Sequence, residues 1–247
     1  MSINDKIFDD RLGEILVGVN PRARHIIFRM KAGELHATVP PRTTLSLLRN
    51  ALENLRPKLE EMVEHHAHVP HTIGPDFCIE CPHFSFRSCE RDDCKVPRIT
   101  MQREAMTFFH PPHLDWQTEN LQTWLKNIIE EGLRKAAAAC LEPRLEALAA
   151  ARGLHPAGVG FHKSKTRWGS CTRAGRINLS IYLILLPAHL QDYVIQHELT
   201  HLLEFNHSDR FWQILNQHTN GMSKALREEI KHYDTSIFCL CNHAGNN

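Results

Sequence analysis

The stretch HELTHLLEFNH, residues 197–207, carries three histidines and one glutamate within a short segment. Apolar side chains recur at helical spacing from residue 188 to residue 205, which predicts an amphipathic helix there. On such a helix His197 and His201 leave the same face one turn apart, and Glu198 lies beside them. The pattern therefore predicts two side chains that converge on one point, next to a carboxylate.

Two imidazoles at this spacing with an adjacent glutamate form the H-E-x-x-H pattern of zinc hydrolases. Asn206 is predicted to end the helix and turn the chain back, so that His207 becomes a third ligand and a fourth position stays open for water. Water bound to Zn²⁺ has a pKa of ~7, and Glu198 is the predicted general base that takes its proton. The alternative is an amphipathic helix with solvated histidines, since the chain has 18 of them. The third, correctly spaced histidine favours the metal site.

The composition is that of a globular protein. Of the 247 residues, 42% are hydrophobic and 23% are charged, and the formal net charge is +1. This balance gives no electrostatic signal for nucleic acid or for an anionic membrane. The first residues hold no apolar stretch behind a basic one, and no apolar run approaches the ~20 residues that span a bilayer. We therefore expect a cytoplasmic protein without a membrane segment.

Residues 1–112 are predicted to form a β-rich amino-terminal region with one helix. The predicted strands are Glu14–Val19, Arg24–Met30, Glu34–Val39, Phe77–Phe86 and Ile99–Phe109, and the predicted helix runs from Thr44 to about His65. The double proline Pro111-Pro112 is the predicted boundary of this region.

Residues 113–238 are predicted to form the catalytic domain, and 239–247 a carboxy-terminal tail. A helix is predicted from Thr118 to Arg152, kinked or split at Pro143. Short strands are predicted at Gly158–Lys163, around Trp168–Thr172 and at Arg176–Tyr182. The predicted class is α+β, with a small sheet before the H-E-x-x-H helix.

Three segments together resemble one known family. KSKTRWGSC (163–171), INLS (177–180) and DYVIQHELTHLLEFNHSDRFW (192–212) are similar to the YgjP-like metallopeptidase family, which is described as zincin-type predicted metal-dependent hydrolases. The resemblance covers residues from about 116 to 232 well and the amino-terminal part more loosely. It implies a zincin-like metallopeptidase domain preceded by a β-rich part. It also implies that His197, His201 and His207 bind zinc and that Glu198 is the general base.

The chain departs from the metzincins, which share the histidine spacing, because Glu204 stands where they have a glycine. The bend before His207 must therefore form in another way.

The stretch RWGSC offers two interpretations. It is either a tight bend with the Trp168 ring in the core, or a wall of the cleft in which Arg167, Trp168 and Ser170 face the substrate. In the second case Arg167 or backbone N–H groups would stabilise the negative charge that develops on the substrate oxygen. Other candidates for this oxyanion role lie further along the chain: Tyr182, His218 and Tyr233.

Four cysteines suggest a second metal site. Cys78, Cys81, Cys89 and Cys94 could hold a structural zinc in a reducing compartment. Their neighbours read as strands and the second pair is widely spaced, so free thiols are the favoured interpretation.

The sequence thus predicts a zinc-dependent hydrolase, most naturally a metallopeptidase acting on a peptide or another small hydrolysable substrate. One alternative is a zinc hydrolase of nucleotide phosphoanhydrides, with Lys163, Lys165 and Arg167 as its basic residues. Another is a zinc-stabilised binding module without catalysis.

Overall fold

The computed structural model of the protein describes residues 6–31, 34–67, 72–164 and 167–233. Within these ranges the chain forms three small sheets and five α-helices, so the predicted α+β class is confirmed. The chain divides into two compact units, 1–71 and 72–247, and each has a hydrophobic core of its own. The predicted tail 239–247 lies outside the described residues.

The first unit is a four-stranded sheet followed by a helix. Its elements are β1 (Lys6–Asp9), β2 (Gly13–Val19), β3 (Ile27–Lys31), β4 (Glu34–Val39) and α1 (Leu45–Ala67). The strands lie in the order β1-β2-β4-β3, with β2 parallel to β4 and the other pairs antiparallel. Alternate residues such as Ile15 and Leu35 are buried in one core with Leu48 and Leu52 of α1. Strand alternation has therefore placed one face of the sheet in the core.

The second unit begins with a sheet of the same topology. Its strands are β5 (Ile79–Cys81), β6 (Phe84–Glu90), β7 (Arg98–Gln102) and β8 (Ala105–His110), in the order β5-β6-β8-β7. The parallel pair β6 and β8 aligns Glu90 with His110, 71 residues after the matching pair Val19 and Val39. The next backbone hydrogen bond repeats too. The N–H of residue 20 donates to the carbonyl of Val39, and the N–H of residue 91 donates to the carbonyl of His110, both at 2.9 Å. The chain therefore holds two structural copies of one strand arrangement, which the sequence analysis did not predict.

Two of the predicted strands are hairpins in the structure. The prediction of single strands over Phe77–Phe86 and Ile99–Phe109 is wrong, because a two-residue turn interrupts each of them. In the second hairpin Arg103 reverses the chain with a φ of 55°, in the left-handed region. Apolar and β-branched residues continue on both sides of each turn, so the composition reads as one strand.

The long helix α2 (Glu119–Ala150) packs on this second sheet in a shared core. Gly132 makes the close approach possible, because a Cβ there would lie 2.6 Å from Cε of Met106 and 2.7 Å from Cε2 of Phe84. The division between the units falls after residue 71, so it does not coincide with the predicted boundary after residue 112.

Both long helices contain an internal proline. Pro57 lies within α1 and Pro143 within α2, and each helix continues past its proline without interruption, so the predicted split at Pro143 is absent. None of the helices in the described ranges combines the length and apolar character that a bilayer crossing needs.

The remaining elements form a small sheet and three helices. They are β9 (Gly158–His162), β10 (Gly169–Cys171), β11 (Arg176–Ser180), α3 (Ala188–Thr200), α4 (Asp209–His218) and α5 (Ser223–Glu229). The sheet order is β10-β11-β9, so β10 is an edge strand, and α3 packs against it. The predicted strand Arg176–Tyr182 ends at Ser180, where a 3₁₀-helix begins over Ile181–Leu185.

A buried polar network ties α2 to the segment after β9. Glu130 is only 5% exposed; it accepts a hydrogen bond from the Tyr182 hydroxyl at 2.7 Å and lies 3.0 Å from Nζ of Lys163. One turn along α2, Arg134 donates to the carbonyl of Phe161 at 2.9 Å. These bonds fix the chain just before it enters the RWGSC segment.

Candidate metal centre

Helix α3 carries the H-E-x-x-H residues. It buries Ile195 and Leu199 completely, which orients the helix on the core. His197 is half-buried and Glu198 is 5% exposed, while His201 forms the C-cap. The helix therefore presents both imidazoles one turn apart, as the spacing predicts.

The helix ends at Thr200, earlier than the predicted end near residue 205 and before Asn206. The N–H groups of Leu203 and Glu204 both donate to the carbonyl of Thr200 at 3.0 Å, which closes a tight turn. Ser208 then caps α4 by accepting from the N–H of Phe211. Apolar periodicity continues beyond Thr200, so the sequence pattern overextends the helix. This turn and cap make the bend that brings His207 back to α3.

The three histidines form a compact group. Their candidate ligand atoms all lie within 4.8 Å of one another, and Nε2 of His207 is 3.0 Å from Nε2 of His197. Tetrahedral zinc with Zn–N bonds of 2.0–2.1 Å places neighbouring nitrogens roughly 3.3 Å apart. Phe211, fully buried, supports the three rings, with centroid distances of 4.6 to 4.9 Å. The donor set and spacing therefore fit a zinc ion.

The imidazoles are held in the neutral form that binds metal. Burial, followed by the charges of His201 and His207, lowers the pKa of His197 to about 3. Burial also lowers the pKa values of His201 and His207. Nδ1 of His201 lies 3.3 Å from the carbonyl oxygen of Glu204, so a proton on Nδ1 leaves Nε2 free as the ligand atom. The histidines therefore present lone pairs at neutral pH.

Glu198 is a buried carboxylate with an unsatisfied oxygen. Its Oε2 has no hydrogen-bond partner among the described residues. Burial raises the pKa of Glu198 to about 8, and the nearby Arg167 guanidinium opposes that rise. A carboxylate in this state is poised to take up and release protons near neutral pH.

This burial leads to a pH-dependent stability prediction. In the metal-free protein at pH 8, we expect Glu198→Gln to unfold at a higher urea concentration than the wild type. At pH 4 we expect the two midpoint concentrations to be about the same. The unfolded carboxyl ionises near 4.5 and the folded one only near 8, so wild-type stability falls as the pH rises through this range, and glutamine removes the effect. The free energy of unfolding of Glu198→Gln should exceed that of the wild type by about 4 kcal/mol at pH 8. A difference independent of pH would contradict it.

Gly169 lets the edge strand β10 lie directly against the glutamate. A Cβ at this position would stand 2.6 Å from Oε1 and 2.7 Å from Cγ of Glu198. Any side chain here would have to displace the carboxylate. The RWGSC segment is therefore a wall of the site, and its glycine sets the position of Glu198.

We accordingly expect Gly169→Ala to lower turnover by roughly 10²-fold without loss of metal, since misplacement by about 1 Å can have that effect. Gly74→Ala is the matched control, because a Cβ at Gly74 has nothing within 4 Å. Steady-state kinetics and metal content of both variants test the prediction. Unchanged turnover in Gly169→Ala would show that the carboxylate tolerates displacement.

A cleft of about 440 Å³ opens over the centre. Its lining residues come from the RWGSC segment, from α3 and the turn after it, from α4, and from α5 and the residue that follows it: Arg167, Trp168, Gly169, Tyr193, Val194, His197, Glu198, His207, Trp212, Arg227 and Ile230. Of the predicted substrate or oxyanion residues, Arg167 and Trp168 line the cleft. Ser170 lies on β10 and Tyr233 packs against the core, and neither lines the cleft.

Two other candidates are engaged elsewhere. Tyr182 is 1% exposed and bonded to Glu130, and Nδ1 of His218 lies 3.2 Å from the Thr200 hydroxyl. Neither lines the cleft.

Sequence reasoning missed several lining residues. Tyr193 stands one turn before His197 on α3, so helical spacing could have identified it. Trp212 and Arg227 come from later helices, and no local pattern links them to the histidines.

The four cysteines between residues 78 and 94 do not form a metal-binding group like that of the histidines. Cys81, Cys89 and Cys94 each donate to a nearby backbone carbonyl, and Cys78 is exposed. Within the described ranges, His197, His201 and His207 are the one group of at least three His, Cys, Asp or Glu side chains whose ligand atoms are close enough to hold a metal ion.

A family model described as "YgjP-like, metallopeptidase domain" matches residues 24–233. No curated protein matches the chain. Among solved structures, the metallopeptidase zymogen of Pyrococcus abyssi abylysin is similar over 36% of this chain and 90% of that chain, with 24% identity and a TM-score of 0.34.

Proposed function

This chain belongs to the YgjP-like metallopeptidase family, which assigns it to the metal-dependent peptidases as a class, and from that premise we propose that it is a zinc-dependent peptidase with Glu198 as its general base. The observation that carries the proposal is the meeting of three neutral imidazoles with a buried carboxylate that has no partner for Oε2 among the described residues. Such a set is typical of metal-assisted hydrolysis.

His197, His201 and His207 would hold the ion through nitrogen atoms. Three protein ligands leave a coordination position open, as catalytic zinc sites do. When bound, zinc supplies Lewis-acid activation of water and of the substrate carbonyl.

Glu198 moves the proton in this proposal. Its free Oε2 accepts a proton from the attacking water and donates it to the leaving amine. Gly169 keeps the carboxylate in place, and Arg167 favours its ionised form. Arg167 and the backbone at the start of β10 line the same cleft, and in this proposal they donate hydrogen bonds to the developing oxyanion.

The phosphoanhydride alternative has weaker support. Of its three basic residues, Lys163 is paired with buried Glu130 and does not line the cleft, and Lys165 lies outside the described residues. Of the two basic residues that the structure describes, Arg167 alone lines the cleft.

A parallel assay separates these functions. Zinc-loaded protein is incubated with a peptide library and with nucleoside triphosphates, and products are identified by mass spectrometry. We expect cleaved peptides that disappear with chelator and with Glu198→Gln. Phosphate release from nucleotides without any peptide cleavage would overturn the proposal.

A further inference from the structure

We propose that Arg227 forms an anion subsite of the cleft that binds a carboxylate of the substrate, on the His207 side of the metal centre. The subsite rests on the proposed peptidase function, because it names the class of peptide that this site would prefer. The carboxylate belongs either to the carboxy terminus of the peptide or to an acidic side chain near the scissile bond.

Arg227 is held in a defined position beside a metal ligand. Its Cζ lies 4.6 Å from the ring centroid of Trp212. The Trp212 ring in turn stacks on His207, at a centroid distance of 5.7 Å and an interplanar angle of 28°. The guanidinium is therefore one ring away from the metal centre, and stacking leaves its N–H edges available for a ligand.

The acidic neighbours of Arg227 are engaged with other groups. Glu228 accepts from Nζ of Lys231 at 2.6 and 2.7 Å, and Glu229 lies 2.7 Å from Nε2 of His189. Among the described residues Arg227 has no ion pair and no hydrogen bond, although it lines the cleft.

Another arginine of the chain shows how a guanidinium pairs with a carboxylate. Arg56, for example, binds both oxygens of Asp9, at 3.1 and 3.0 Å. This two-pronged geometry is the arrangement that guanidinium and carboxylate favour. Arg227 offers the same fork to the cleft, where the described residues place no carboxylate partner for it.

The charge of the cleft favours an anionic ligand. Arg167 and Arg227 both line it, and Glu198 is the one acidic residue among the described residues that do. A divalent metal ion would add further positive charge. A substrate carboxylate would therefore be attracted to this wall.

Binding of four small probes to the zinc-loaded protein tests the subsite without any need for turnover. N-acetylleucine and N-acetylleucinamide differ only in a terminal carboxylate. N-acetylglutamic acid α-amide and N-acetylglutamine α-amide differ only in a side-chain carboxylate. We expect one acidic probe to bind about 10- to 100-fold more tightly than its neutral partner, as charge-assisted hydrogen bonds would give. The pair that shows the preference identifies the source of the carboxylate.

The variants are Arg227→Gln and a matched control, Arg173→Gln. Arg173 also lies over an aromatic ring, that of Phe205 at 5.8 Å, but it does not line the cleft. We expect Arg227→Gln to abolish the preference with little effect on the neutral probes, and Arg173→Gln to retain it. Arg227→Lys keeps a charge without the fork and should retain part of it. Thermal melting and zinc content establish that each variant is folded.

The outcomes distinguish the two levels of the proposal. Equal binding of acidic and neutral probes by the wild type, or an intact preference in Arg227→Gln, would overturn the subsite even if peptides are cleaved. A preference that depends on Arg227, together with failure to cleave any peptide, would support the subsite and overturn the peptidase function.

Discussion

Replacing Glu198 by glutamine is expected to lower kcat by about 10²- to 10⁴-fold, the range that general acid–base groups contribute, while zinc binding is retained. Glutamine has nearly the same shape as glutamate but cannot accept the proton. The side chain is not a member of the histidine group, so removal of its charge should leave the ligands in place.

The environment of Glu198 supports this role. Its Oε2 has no partner among the described residues, so no other described group is bonded to the atom that would transfer the proton. Glu146→Gln is a suitable control, because Glu146 is exposed on α2. Kinetics at saturating peptide and metal analysis of both variants give the comparison. A zinc-loaded Glu198→Gln protein with wild-type kcat would exclude Glu198 as the base.

Replacing His207 by alanine is expected to weaken zinc binding by more than about 100-fold and to abolish peptide cleavage. Loss of a hydrogen-bond partner of a ligand costs about 10- to 100-fold in metal affinity, and loss of the ligand itself should cost more. His207 comes from the turn after α3, and its Nε2 closes the group at 3.0 Å from that of His197. Without it two ligands remain, which is fewer than catalytic zinc sites use.

Thermal unfolding with and without zinc measures this effect. A ligand that binds only the folded state raises the melting temperature, so zinc should stabilise the wild type strongly and His207→Ala weakly. His189→Ala is the control, because His189 is exposed and pairs with Glu229. Equal stabilisation of wild type and His207→Ala by zinc would show that the ion binds elsewhere.

Local periodicity was sufficient to predict the helix that carries His197 and Glu198. The spacing of four residues requires only that the segment be helical, and burial of Ile195 and Leu199 makes it so. The same pattern failed at the end of the helix, since a hydrogen-bonded turn after Thr200 is compatible with the apolar residues that follow.

Tertiary packing explains what sequence reasoning missed. The close contact of Gly169 with Glu198 joins a strand to a helix, and Arg227 reaches the cleft from α5. Neither contact has a local sequence signal. The repeated strand arrangement was also missed, because most of the aligned strand residues differ between the two copies, although the double prolines at 40–41 and 111–112 keep the same offset of 71 residues.

Zinc K-edge X-ray absorption on the zinc-loaded wild type identifies the ligands of the ion, and so tests whether His197, His201 and His207 bind zinc. We expect three imidazole nitrogens at about 2.0–2.1 Å together with a light-atom ligand in the open position. Sulfur scattering at about 2.3 Å, which would place the ion on cysteine thiolates, or fewer than three imidazoles, would contradict it.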